Sequence, residues 1–141
     1  MTIDEKQKEI IDEFSLFDDW MDKYNYLIEL SRDLPEMDPQ KKTEDNLIEG
    51  CQSKVWLDAQ MDGYKLVFLA DSDAIITKGI IALLIRVLSG HKPEEIKNAD
   101  LHFIDQIGLK ENLSPTRSNG LLAMVNKIKA YAMAYEFKKN E

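Results

Sequence analysis

S-K-V-W-L-D-A-Q-M-D-G-Y-K-L-V-F-L-A-D-S-D-A-I-I-T-K-G-I-I-A-L-L-I-R-V-L, Ser53 to Leu88, carries two periods in succession. Val55, Leu57, Ala59 and Met61 alternate with Lys54, Trp56, Asp58 and Gln60, the pattern of a half-buried strand. Asp62-Gly63 is a two-residue hairpin signal, and Tyr64 to Ala70 returns with Leu66, Phe68 and Ala70 on one face. Asp71-Ser72-Asp73 then reads as the cap of a helix. Ala74 to Leu88 is apolar almost all round, too short and too interrupted to span a membrane, so it is expected to be the central buried helix. Gly79 inside it marks a place where another backbone could come close, because glycine otherwise costs a helix about 1 kcal/mol relative to alanine.

Helical signals flank this stretch on both sides. Thr2 and Glu5 form a capping-box pattern ahead of Ile3, Ile10, Phe14 and Phe17. Asp18 and Asp19 open a second helix, with Trp20, Tyr24, Leu27 and Ile28 on one face, Met21 counted with the core, and Pro35 as the stop. Residues 36 to 45 have no apolar period and read as a surface loop. On the far side, Pro93 starts a short helix through Ile96. Asp100 is expected to cap another, with Leu101, Ile104 and Ile107 on one face. Ser114-Pro115 opens a last helix whose stripe is Leu121, Val125, Ile128, Ala132 and Tyr135. The order is helices, a small antiparallel sheet, then helices: an α+β fold, read as one domain over residues 1 to 141.

Composition narrows the chemistry. Acids number 26 and bases 18, a formal net charge of −8, which is unsuited to phosphate-backbone binding. The excess sits in the first 50 residues, with 15 acids and 6 bases; it reads as a solvated face or as a docking surface for a basic partner. The start Met-Thr-Ile-Asp-Glu-Lys has no apolar signal core, so no export is indicated and a cytoplasmic location is expected. His91, expected to be solvated, and His102, expected at the surface or boundary, have no ligand-spaced companions. There is no phosphate-cradling glycine loop and no serine nucleophile elbow.

That leaves Cys51, the chain's one cysteine. A lone cysteine can be a small buried hydrophobe. This one follows Gly50 at a loop-to-strand junction, beside Gln52 and Ser53, where the sulfur has room to move and be reached. The local features leave reactive and structural roles both open.

The segment N-L-I-E-G-C-Q-S-K-V-W, Asn46 to Trp56, closely resembles the cysteine-loop signature of the SufE family, sulfur acceptors in iron–sulfur cluster assembly. Three more blocks agree, in family order: W-x-x-K-Y-x-Y-L-I-E-L from Trp20, D-S-D-A-I-I-T-K-G-I from Asp71, and L-S-P-T-R-S-N-G from Leu113. The resemblance implies a single SufE-like domain, with a fold similar to the IscU-type scaffolds. It also implies that Cys51 takes sulfane sulfur from the persulfide of a SufS-like cysteine desulfurase and stimulates that enzyme. The sulfur then passes to a SufBCD-like scaffold complex. On this reading the chain binds no cofactor and no metal, pyridoxal phosphate belongs to the desulfurase, and the chain is a carrier and activator rather than an enzyme. Arg117 is expected near the Cys51 loop, where a guanidinium would stabilise a thiolate or persulfide. Asp71, Ser72 and Asp73 are expected to help shape a cavity that shelters Cys51, with Gly50, Gln52 and Ser53 shaping the loop. A cluster scaffold needs about four protein ligands, so one cysteine separates carrier from scaffold. A CsdE-like acceptor for a paralogous desulfurase, a redox-active thiol protein and an interaction module with an inert Cys51 remain the alternatives. No nucleic-acid or membrane partner is expected, and the chain is read as monomer or homodimer.

Overall fold

The computed structural model describes residues 1–139 of the chain. Helices α1 (Ile3–Phe14) and α2 (Trp20–Asp33) are followed by single 3-10 turns at Pro39–Lys41 and Glu44–Asn46. Strands β1 (Val55–Asp62) and β2 (Lys65–Ser72) form a two-stranded antiparallel hairpin, with Val55 opposite Ser72 and Asp62 opposite Lys65. Helices α3 (Ile75–Leu88), α4 (Pro93–Asn98), α5 (Phe103–Gln106), α6 (Leu109–Asn112) and α7 (Pro115–Lys139) complete the α+β fold.

The helix starts follow local chemistry. Thr2 and Glu5 close the capping box of α1, and Asp19 accepts the Asp22 N–H at the start of α2. Ser114 Oγ accepts the Arg117 N–H at 3.2 Å, and Pro115 fills the first position of α7, where a missing N–H costs nothing.

Helix α3 lies at the centre. Thr77, Gly79, Ile80, Ile81, Leu83, Leu84, Val87 and Leu88 are all buried. Its near-continuous apolar surface is explained by what covers it: α2 on one side, the hairpin on another, and α1 and α7 around them. Gly79 is the contact with α2. A Cβ at that position would lie 2.4 Å from the Leu27 carbonyl oxygen and 2.9 Å from its carbon. The two helix backbones therefore touch where Gly79 has no side chain. Arg86 ties α3 to α1 by bonding the carboxylates of Glu9 and Glu13.

Both edges of the hairpin are partly covered. On the β1 side, Tyr131 and Tyr135 of α7 donate their hydroxyls to the carbonyls of Leu57 (3.2 Å) and Ala59 (3.0 Å). On the β2 side, the Leu66 N–H donates to the His91 carbonyl (2.8 Å) and the Phe68 N–H to Ser89 Oγ (3.0 Å). Edge groups satisfied in this way are withdrawn from further strand pairing.

Several local expectations need correction. The hairpin loop is Gly63-Tyr64 rather than Asp62-Gly63, because Asp62 still pairs with Lys65; Gly63 supplies the positive φ of 64°. Phe17 lies beyond the end of α1, and Met21 is exposed, while Met37, in the stretch read as a surface loop, is buried at 1%. His91 is buried, with its ring nitrogens 3.3 Å from the Leu88 carbonyl and 3.0 Å from the Met1 carbonyl. Asp100 caps no helix: α5 starts only at Phe103, and the Asp100 carbonyl accepts from the buried Gln7 side chain. Asp71, Ser72 and Asp73 do not cap α3. Its N-cap residue is Ala74, which makes no side-chain capping bond, and Asp71 and Ser72 still belong to β2.

Candidate functional site

The residues around Cys51 form a closed loop. The Ile48 N–H donates to the Val55 carbonyl at 2.8 Å, and Leu47 bridges Trp56, so Glu49 to Lys54 project as a loop from the start of β1. Gly50 takes a φ of 94°, open mainly to glycine, and turns the chain toward α7. A Cβ at Gly50 would stand 3.3 Å from Ala123 Cβ, which shows how closely the loop lies on that helix.

Cys51 is half-buried beneath this turn. Its thiol donates to the Gly120 carbonyl at 3.6 Å, a weak sulfur hydrogen bond. Among the described residues it is the one hydrogen bond joining the loop to α7. Gly120 is buried, and a Cβ there would sit 3.4 Å from Cys51 Sγ. The sulfur thus occupies space that a larger residue at position 120 would take.

The thiol opens into a cavity of about 350 Å³. Gln52 and Ser53 line it from the loop, and Thr77 and Ile80 from α3. Ser114, just ahead of α7, and Thr116, Arg117, Gly120 and Met124 in its first three turns complete the wall. Arg117 and Cys51 therefore share one cavity. Burial pushes the Cys51 thiol above its ordinary pKa, and no cation offsets that effect. In this arrangement burial favours the protonated form of the sulfur, and the Arg117 side chain is exposed at the rim.

Asp71, Ser72 and Asp73 do not line the cavity. They act on the loop from outside. The Lys54 N–H donates to Asp73 Oδ1 (3.0 Å), while Ser72 Oγ donates to the Lys54 carbonyl (2.9 Å). Two neighbouring side chains thus clamp the residue at which the loop re-enters β1. Asp71 is held by Lys42 at 2.6 Å and Lys78 of α3 at 3.2 Å. Burial alone would raise its carboxyl; the Lys42 bond, the Ser72 N–H and Lys78 together hold it below the usual carboxylate value.

The remaining wall residues, Thr77, Ile80, Ser114, Thr116, Gly120 and Met124, are not marked as site residues by the sequence. Ser114 carried only a capping signal and Gly120 only a place in a motif; Thr77 and Met124 sit within apolar helical stripes that read as core. Among the described residues no group of three or more His, Cys, Asp or Glu is placed to hold a metal ion. No helix among them is long and apolar enough to cross a membrane.

The model of the SufE family, an Fe-S metabolism associated domain, matches residues 8–132. The chain belongs to the SufE family. A SufE-like protein of Rhizobium meliloti is 41% identical over 129 residues, covering 88% of this chain and 92% of that protein. One from Rhizobium etli is 43% identical over 129 residues, with 88% and 87% covered. The chloroplastic/mitochondrial SufE-like protein 1 of Arabidopsis thaliana is 39% identical over 137 residues; the match takes in 96% of this chain but 37% of the plant protein. The fold agrees with the solution structure of a hypothetical protein from Thermus thermophilus, with a TM-score of 0.75 at 24% identity over 92% of this chain and 94% of that one. SufE membership gives the chain a sulfur-transfer role in iron–sulfur metabolism and implies interaction with a cysteine desulfurase.

Proposed function

We propose that Cys51 is the sulfur acceptor. The Cys51 thiol gives up its proton, and the thiolate attacks the outer sulfur of a persulfide on a SufS-like cysteine desulfurase. The sulfur–sulfur bond of that persulfide breaks, and the desulfurase thiolate leaves and takes up a proton. Cys51 then carries the persulfide. No electrons are gained or lost overall, so the exchange needs neither a second thiol nor a metal on this chain. Pyridoxal phosphate belongs to the desulfurase, and a SufBCD-like scaffold complex receives the sulfur.

One observation carries this reading. The chain's one thiol sits at the tip of a closed loop, over a cavity, with a single weak bond to α7. Cover protects a persulfide from reductants and oxidants, and a weak tether lets the loop swing out to the partner. Arg117 at the rim is the cation that would stabilise the anionic sulfur once the loop moves.

The test is desulfurase turnover, read as alanine formed from cysteine. The wild-type chain is expected to raise it at least tenfold, and Cys51→Ser to abolish the increase. Equal stimulation by Cys51→Ser would remove Cys51 from the acceptor role.

A further inference from the structure

We infer that the groove between the Glu44–Glu49 segment and α7 is the docking face for the desulfurase, and that it receives a cationic side chain flanked by apolar ones. This rests on the sulfur-acceptor reading above. The groove, about 590 Å³, is bounded on one side by Glu44, Asp45 and Glu49 and on the other by Ala123, Asn126 and Ala130. The three acids are exposed, and among the described residues none of them is in an ion pair. Three carboxylates against a single lysine leave the groove with a net negative charge, which favours an incoming cation. One cation, Lys127, lines the groove from α7, with its ammonium 5.3 Å from the Tyr131 ring.

Beyond the groove the outer face of α7 stays apolar and uncovered. Leu122, Met133 and Phe137 are 54%, 57% and 67% exposed, at helical spacings that place them on the face of Asn126. The groove also adjoins the reactive loop, since Gly50 rests against Ala123, one of its lining residues. A protein that reaches Cys51 from this side must cover it. A second copy of this chain suits the surface poorly, because two copies facing each other would set these acids against themselves.

The test titrates the wild-type chain and two variants, Glu44→Lys/Asp45→Lys and Leu122→Glu, against the cysteine desulfurase of the same organism, with alanine formation as readout. Each variant is expected to raise the half-saturating concentration at least tenfold and to change the rate at saturation less than twofold. Raising the salt from 50 to 300 mM should weaken the wild type and leave the charge-reversed variant little affected. Persulfidation of Cys51 by inorganic polysulfide, which needs no docking, should reach the same extent in all three, and equal urea midpoints show that each is folded. Half-saturating concentrations within twofold of wild type overturn the proposal. So does a wild-type dimer in sedimentation that Leu122→Glu dissociates without change in the titration. Failure of the sulfur-acceptor reading looks different: polysulfide and desulfurase would both leave Cys51 of the wild type unmodified.

Discussion

Gly79→Ala is expected to destabilise the fold by about 2 kcal/mol, measured as a lower urea midpoint with an unchanged slope. In an ordinary buried helix the same change helps, because alanine is favoured over glycine by about 1 kcal/mol. Here the added methyl would lie 2.4 Å from the Leu27 carbonyl oxygen. That atom belongs to the backbone of α2, so no side chain can rotate away. The helices must separate, and the contacts of Leu27, Ile80 and Leu84 loosen with them. An alanine variant as stable as the wild type would show that α2 and α3 do not meet at Gly79.

The second large effect concerns the shelter of Cys51. Gly120→Val is expected to speed alkylation of Cys51 by iodoacetamide at pH 7 at least tenfold, while Gly120→Ala changes it little. An alanine Cβ meets Sγ at 3.4 Å, an ordinary contact, but the extra methyl groups of valine need the space the sulfur fills. Driven into water, the thiol loses the burial that raises its pKa, and more of it is thiolate at pH 7. The same shift sets a sign for stability. The folded chain keeps the Cys51 proton to higher pH than the unfolded chain, whose thiol titrates near 8.5. The stabilisation is full below that pH and is lost as the pH rises through the raised value, and Gly120→Val should flatten this loss. Equal alkylation of the valine variant and the wild type, with both folded, would mean that the cavity does not control the thiol.

The elements that follow from short-range pattern were legible in the sequence. The alternation in Val55 to Met61, the capping pairs at Thr2 and Asp19, and Ser114-Pro115 each depend on a few neighbouring residues, and the structure forms the strand and helices they announce. The misreadings arise where distant partners decide. Asp71, Ser72 and Asp73 have the composition of a helix cap, but Lys42, Lys54 and Lys78 compete for them and win. Met37 has no periodic neighbours; its burial is fixed by packing that no local window contains. Gly79 could be marked as a close approach, yet only the structure names Leu27 as what approaches it. Cys51 stood out because the chain has one thiol, whereas of the α7 wall of its cavity only Arg117 did, through the motif it shares with the SufE family and not through any local pattern.

The most direct test of Cys51 as sulfur acceptor is the intact mass of the chain after mixing with its desulfurase, pyridoxal phosphate and cysteine, without reductant, beside Cys51→Ser. A gain of about 32 Da, or a multiple, is expected in the wild type alone, one sulfur atom per step of exchange. An unchanged wild-type mass while the desulfurase turns over, or the same gain in Cys51→Ser, would contradict it.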